Sequence, residues 1–410
     1  MLLQFNCENF KSYRDEFSLN MSATSIKEHK DHVVEAKRKE KYLKVAAIYG
    51  ANASGKSNII EGFDHMKFLV MTSFSEAGKR KIIPLKRFHF NNKSKKTSST
   101  FEVFFSYKEN QYQYGFEVDE NRVVEEWLYK RDFRGKEKYN LIFERENQKF
   151  QLNEKLEDYS AMLKSVDEKT LLLSFLSNVK LEDINNVFRW FYHTKTINFG
   201  NPLEDSMLFK VLPNDCFNKN KVSEFENYLK AIDVGIEGIE IEEIPNSSDE
   251  DGNPRYKAYS LHKNNDTGEV EKLSLGEESH GTLKMITLYE PIRDALKEGS
   301  TLFIDEMDAK LHPLLTKYII KMFYDRNLNK KNAQLIFTTH DVVNLTKDLF
   351  RRDEIWFVEK DKENVSSLFS LAEYKIDDKK VRNDASYNKD YLYGRYGALP
   401  ILKEFEIGGE

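Results

Sequence analysis

The stretch Gly50-Ala51-Asn52-Ala53-Ser54-Gly55-Lys56-Ser57 constrains this chain more than any other. It fills every fixed position of the pattern G-x-x-x-x-G-K-[ST]. Its flanks agree. Val45-Ala46-Ala47-Ile48-Tyr49 is a short apolar run that predicts a buried parallel strand. Behind the loop, Ile59, Ile60, Phe63, Met66 and Val70 recur at helical spacing. Strand, glycine loop and helix in that order aim backbone N–H groups at an anion held at the positive end of a helix dipole. Gly50 and Gly55 permit backbone conformations that a Cβ would penalise. Lys56 is placed to reach the β- and γ-phosphates of a nucleotide, and the Ser57 hydroxyl to sit on Mg²⁺. A chance glycine-rich turn would also fit this stretch in isolation, so the remaining motifs have to decide.

The 410 residues allow two or three domains. Forty per cent apolar content, with 29 Phe and 21 Tyr, supplies a sizeable core and excludes a disordered chain. Lys and Arg total 63 against 68 Asp and Glu, a net charge of −5, which argues against a globally basic nucleic-acid binder but not against a local basic patch. Cys7 and Cys216 form no metal-type spacing, and a reducing cytosol is the simplest compartment. No apolar run approaches a membrane span of about 20 residues. The opening residues lack the basic and apolar regions of a signal peptide.

Along the chain, Leu2, Leu3 and Phe5 open a strand, and Glu16 to Met21 reads as a second. The run Glu35 to Lys44 reads as a solvated connection. Lys79 to Phe90 is a basic and aromatic connection, and Asn91 to Thr100 a loop. Phe101–Tyr107, Tyr112–Val118 and Val123–Tyr129, followed by Leu141-Ile142-Phe143, predict an antiparallel sheet. From about 156 to 230 the pattern is helical. Ile236–Ile244 and Tyr256–His262 read as strands around a loop over Ser247–Pro254. The division expected is an N-terminal head segment, 1–90, an inserted antiparallel-β and helical region, 91–260, and a C-terminal head segment, 261–410.

Thr301-Leu302-Phe303-Ile304-Asp305-Glu306 reads as a buried parallel strand ending in two carboxylates. Ligands of open α/β sheets sit at such strand ends. Asp305 can help hold Mg²⁺, and Glu306 can polarise a water for attack on the γ-phosphate. Gln334–His340 is another apolar strand, and His340 at its end is a candidate γ-phosphate sensor. Asp341 reads as a helix N-cap before Val342-Val343. Leu273-Ser274-Leu275-Gly276-Glu277 precedes a helix whose Leu283, Ile286, Tyr289, Ile292 and Leu296 share a face, with Pro291 expected to kink or divide it. Ser274 and Gly276 there can form an anion site, although an ordinary N-cap would read the same way.

The order of these motifs carries the resemblance. Phosphate loop, Leu-Ser-x-Gly-Glu, apolar-Asp-Glu and Thr-His follow one another as in ATP-binding-cassette-type ATPases. The chain resembles the soluble branch that includes RecF, the structural-maintenance-of-chromosomes heads and the overcoming-lysogenization-defect nucleases. Asn9-Phe10-Lys11-Ser12-Tyr13, the loop continued through Asn58, and Asp305–Asp308 with Leu311-His312-Pro313 are similar to that branch. Tyr391–Pro400 resembles one subgroup, the AAA-family ATPases of bacterial anti-phage and abortive-infection systems of the RloA and AbiL type.

The resemblance implies an α/β P-loop head of the ABC type, with a mixed sheet and flanking helices, that binds ATP and Mg²⁺ in the cytoplasm. It further implies a head-to-head homodimer, or a higher oligomer, in which Lys56 and Ser57 of one copy face Ser274 and Gly276 of another across shared nucleotides. Asn58 would belong to the nucleotide site, Lys11 would touch the nucleotide and Asp308 would lie at the dimer seam. Such a head would switch a separately encoded effector, a nuclease or RloB-like protein, with DNA or a phage component as a further partner and no membrane. A DNA-repair ATPase of the RecF kind is the alternative, with Lys79-Arg80-Lys81 and Lys86-Arg87 as phosphate contacts. A transporter subunit and a nucleotide-locked scaffold are weaker readings, given Leu-Ser-Leu-Gly-Glu in place of Leu-Ser-Gly-Gly-Gln and the presence of Glu306. Neither Gln111 nor Gln113 has the context of a glutamine loop, and the segment after His340 has no acidic cluster for a second metal site.

Overall fold

The computed structural model describes residues 1–36, 39–79, 81–132, 138–201, 212–217, 221–232, 235–248, 254–376, 379–381 and 385–399. Arg80, Asp249–Asn253 and Pro400, and so parts of the expected basic cluster, loop and C-terminal motif, lie outside them. In chain order the strands are β1 (Leu2–Glu8), β2 (Phe17–Asn20), β3 (Val33–Glu35), β4 (Lys41–Leu43) and β5 (Val45–Gly50). Helix α1 (Lys56–Thr72) follows, then β6 (Ser99–Tyr107), β7 (Asn110–Val118), β8 (Val123–Asp132), β9 (Asn140–Glu146), β10 (Lys149–Leu152) and β11 (Lys195–Asn198). The later strands are β12 (Ile236–Ser248), β13 (Pro254–Lys263), β14 (Val270–Ser274), β15 (Thr301–Asp305), β16 (Gln334–Thr338), β17 (Ile355–Lys360) and β18 (Ser366–Ser370).

The chain divides into two compact units. The first comprises 1–197, 295–306 and 320–410 and holds two large sheets. One is seven-stranded, ordered β10-β9-β8-β7-β6-β1-β2. The other is six-stranded, ordered β11-β15-β16-β5-β17-β18, with parallel pairing from β15 through β17. Strands β6 to β10, read from sequence as part of an insert, hydrogen-bond into the sheet that the first strand starts, because β6 pairs antiparallel with β1 from Leu2 to Glu8. Alternation along β6 sets which of its faces meets the core. Phe101, Val103 and Phe105 are buried on one face while their neighbours are partly exposed.

Helix α1 belongs to the cluster of buried side chains that draws on both sheets. The Phe63 ring stacks on Phe303 of β15 at 4.3 Å and meets Phe5 of β1 edge-on at 5.6 Å. Truncating it to alanine would cost on the order of 3–5 kcal/mol. On the outer side, Trp190 stacks on Phe105 at 4.0 Å and ties the helix Glu182–His193 to the antiparallel sheet. The helix behind the phosphate loop is thus fixed at its apolar face, and the loop inherits that rigidity.

Two expectations are corrected in this unit. The charged run Glu35–Lys44 is not wholly a solvated connection. β3 and β4 pair in it, and Tyr42 and Leu43 are buried, since apolar side chains next to the charges have a core to enter. Asp341 caps no helix. Its Oδ1 accepts from the N–H groups of Val343 at 2.9 Å and Asn344 at 3.3 Å, and an irregular turn follows. Short polar side chains offer the backbone such local alternatives to a helix.

The second unit comprises 198–294 and 307–319. β12, β13 and β14 form an antiparallel sheet. Phe225 and Leu229 of the helix Val222–Ile232 pack with Ile236, Ile239, Leu275, Ile286 and Tyr289. The helix His280–Glu298 runs through Pro291 undivided.

Candidate nucleotide site

Parallel pairing brings three strand ends side by side. Thr338 pairs with Ile48, and Phe337 with Ile304, so Gly50, Asp305 and the Thr338–His340 turn lie at the same edge of the sheet. Ligand sites of open α/β sheets occur at this edge. β16 lies between the strand of the phosphate loop and the strand of the carboxylates.

The loop closes as its sequence requires. Gly55 has φ +109°, and a Cβ there would lie 2.5 Å from both Ser12 Oγ and Ser366 Oγ. At Gly50 a Cβ would meet Val358 O at 2.5 Å. Lys56 begins α1 and is almost fully buried, with Nζ 3.0 Å from Gly50 O and 2.9 Å from Ala51 O. The ammonium therefore lies inside the turn that its own loop makes. Ser54 Oγ is buried without a hydrogen-bond partner. Two glycines where no Cβ fits and a buried lysine ammonium drawn into the turn are the make-up of an anion cradle. The residues present fit a bound triphosphate.

Asp305 is buried, and Thr338 Oγ1 donates to its Oδ1 at 2.5 Å. The Ser57 hydroxyl hydrogen-bonds the same carboxyl. Burial raises the Asp305 pKa, opposed by these two hydrogen bonds and reinforced by the charges of Glu306 and Glu61. A buried carboxylate beside a serine hydroxyl, with two further acids nearby, is a hard oxygen donor set that suits Mg²⁺. Glu306 sits half-buried with φ +50°, a conformation costing about 1–3 kcal/mol in a non-glycine residue. Its N–H donates to Thr338 Oγ1 at 2.8 Å, so one threonine hydroxyl fixes both acids. His340 is exposed just past β16.

Behind the loop is a hydroxyl clamp that sequence reasoning missed. Ser366 Oγ lies 2.5 Å from Ser54 O and 2.7 Å from Ser12 Oγ. Asn58 Nδ2, expected at the nucleotide, donates to Ser12 Oγ at 2.7 Å, and Tyr13 OH to Gly55 O at 3.3 Å. Lys11 is ion-paired with Glu61 of α1. Gln111 and Gln113 are engaged within the antiparallel sheet, donating to Glu40 at 2.7 Å and Glu102 at 2.8 Å.

In the second unit, Ser274 ends β14 and Gly276 lies in the short turn after it. Both are exposed, and nothing lies within 4 Å of a Cβ built on Gly276. Leu275 between them is buried as an anchor. Glu278 holds the turn from below, accepting from His262 Nε2 at 2.8 Å and Ser260 Oγ at 2.5 Å.

Fold and strand-end residues together define an AAA-type P-loop ATPase domain of mixed α/β architecture. The profile of the family described as "AAA domain, putative AbiEii toxin, Type IV TA system" matches residues 45–346, more than half of the chain, and the chain belongs to that family. No curated protein matches the sequence significantly. Among solved structures, one described as the recombination mediator protein RecF-ATPrS in the RecFOR pathway is 14% identical, covers 90% of this chain and 98% of its own, and has a TM-score of 0.36. A second, described as RecF-ATP in that pathway, is 12% identical over 90% of this chain and 97% of its own, with a TM-score of 0.32. Likeness at that level carries no functional argument.

Proposed function

We propose that this protein hydrolyses ATP in a head-to-head dimer and uses the cycle as a switch on a separate effector in anti-phage defence. The observation that carries the ATPase reading is the Thr338 hydroxyl, bonded at once to the carboxylate of Asp305 and to the backbone of Glu306. Lys56 and the loop N–H groups hold the phosphates. Ser57 and Asp305 hold Mg²⁺, which supplies Lewis-acid polarisation of the phosphate oxygens when bound. Glu306 would accept a proton from the attacking water, and His340, just past β16, would touch the γ-phosphate. The exposed Ser274 and Gly276 suit contact with the nucleotide of a second copy, and Asp308 would lie along that seam. The γ-phosphate would then stabilise the paired state through contacts that ADP lacks.

The defence role is supported by the family's description, which names a toxin–antitoxin system, and by the resemblance of Tyr391–Pro400 to abortive-infection ATPases. The effector would be a nuclease or RloB-like protein, recovered by pull-down with non-hydrolysable ATP during infection. The ATPase is tested by Glu306→Gln. The variant is expected to bind ATP, dimerise for longer and lose phosphate release by about 10²–10⁴-fold. Unchanged turnover would remove Glu306 from the role.

A second reading, a DNA-binding repair ATPase, is favoured by one feature. Lys79, Lys81, Lys86, Lys93, Lys95 and Lys96 are all exposed within one stretch. Binding of duplex DNA that weakens steeply with salt would support it, and no binding at low salt would end it.

A further inference from the structure

At the far end of the parallel sheet from the phosphate loop, the turn before β3 folds against the starts of β5 and β17. Lys44 N donates to His32 O at 3.1 Å just before β5, and Glu354 meets His32 just before β17. His29, Asp31 and His32 each bring one ring nitrogen or carboxylate oxygen to within 4.8 Å of the others. The two imidazole rings are 4.6 Å apart between centroids.

Both histidines are also held from behind. His29 Nε2 lies 2.7 Å from Lys347 O, and His32 Nδ1 lies 3.0 Å from Glu354 Oε2. Each contact occupies one ring nitrogen and leaves the lone pair of the other for a cation. A backbone carbonyl and a carboxylate are the usual outer partners of metal-binding histidines, because they fix the tautomer and raise ligand basicity. The His32 ring is further immobilised face to face on Tyr324, centroids 3.4 Å apart. Glu354 Oε2 is itself fixed by Arg351 N at 2.8 Å and Tyr324 OH at 3.1 Å.

Glu354, the partner behind His32, is itself short of hydrogen bonds. Glu354 is fully buried, and its Oε1 has no hydrogen-bond partner. The Arg351 guanidinium is engaged with Asp353 through contacts of 2.9 and 2.8 Å, and Lys44 is a second cation that acts on Glu354. A buried carboxylate left short of partners is costly. A cation on the outer nitrogen of His32 would polarise the Nδ1–H toward Glu354 and offset that cost.

We propose that His29, Asp31 and His32 form a binding site for a borderline divalent transition metal of the Zn²⁺ class. Two imidazoles and one carboxylate suit such an ion better than Mg²⁺ or Ca²⁺, which take oxygen donors. Bonds of about 2.0–2.1 Å require the three donors to draw together: the half-buried His29 ring, now stacked at 21° on that of His32, and the exposed Asp31 would both have to turn toward the fixed His32. The metal would lock the turn before β3 on itself and hold His32 in its contact with Glu354 at the start of β17. The inference does not depend on the ATPase reading.

The test uses the full chain, stripped with chelator and kept free of nucleotide. Co²⁺ titration should give visible d–d absorption that saturates at a single equivalent and is bleached by Zn²⁺. His29→Gln and Asp31→Asn alter the less buried ligands and should fold normally while weakening Co²⁺ affinity about 10–100-fold, on the scale of a lost metal-site interaction. Zn²⁺ should raise the thermal midpoint of the parent protein and not of the His29→Gln/Asp31→Asn pair. No saturable absorption in the folded parent, or titrations identical in parent and variants, would overturn the site.

Discussion

The Thr338 hydroxyl lies 2.5 Å from Asp305 Oδ1, bridging adjacent parallel strands at the edge where the phosphate loop opens. Thr338 is fully buried, so this bond meets little competition from water. It sets the rotamer of the carboxylate that faces Ser57, while the N–H of Glu306 donates to the Thr338 hydroxyl oxygen. Thr338→Val keeps the shape and removes both contacts. Its Mg²⁺ requirement should rise by about 10–100-fold, the usual effect of losing an outer-shell partner. Thr338→Ser should restore it. The measurement is ATP turnover against Mg²⁺ concentration, and an unchanged Mg²⁺ midpoint in the valine variant would refute the role.

Ser366 supports the phosphate loop from β18, a strand far from the motif in sequence. Ser366→Ala removes one buried hydrogen bond, worth about 0.5–1.5 kcal/mol. The loop should loosen, raising the KM for ATP several-fold with kcat little changed. Steady-state kinetics separate the two constants. A fall in kcat at constant KM would place Ser366 in the chemistry instead.

Gly276 has open space around it, so bulk added there meets nothing within its own chain. Gly276→Arg should shift stability by no more than about 0.5 kcal/mol, as exposed substitutions do. If the turn faces the nucleotide of a second copy, the same change should abolish ATP-dependent dimerisation and hydrolysis. Light scattering with and without ATP decides this. A variant that still dimerises would show that the turn lies outside the interface.

Glu126 is fully buried beneath the short helix Leu172–Leu176, accepting from Leu172 N at 2.5 Å and Leu173 N at 2.9 Å. Burial is the largest influence on it and raises its pKa, opposed by Arg145 and by these hydrogen bonds. The native state therefore holds a proton that the unfolded chain releases near its ordinary value of 4.5. The stability linked to that proton is fully present below 4.5 and is lost as pH rises through the higher native value. Denaturation midpoints of the parent should decline across that window, and Glu126→Gln should flatten the decline. Parallel curves for the two proteins would contradict the assignment.

Local chemistry was enough to read the phosphate loop, the Asp305–Glu306 strand end and the helix behind Gly55. Each is written in contiguous residues whose spacing has a direct physical meaning. The turn at Ser274–Gly276 was legible for the same reason. Neighbourhood was not. That β6 would hydrogen-bond β1, joining strands β6 to β10 to the first strand, depends on pairing between distant segments, which alternation within a strand does not specify. The clamp of Ser12, Asn58 and Ser366 and the bridge through Thr338 have no sequence signature, because a single hydroxyl gains its role only from what stands opposite it. The chain alone therefore determined where the phosphate loop and the strand-end carboxylates stand. The tertiary structure decided which buried hydroxyls orient them, since hydrogen-bond geometry across strands is fixed by packing rather than by local composition.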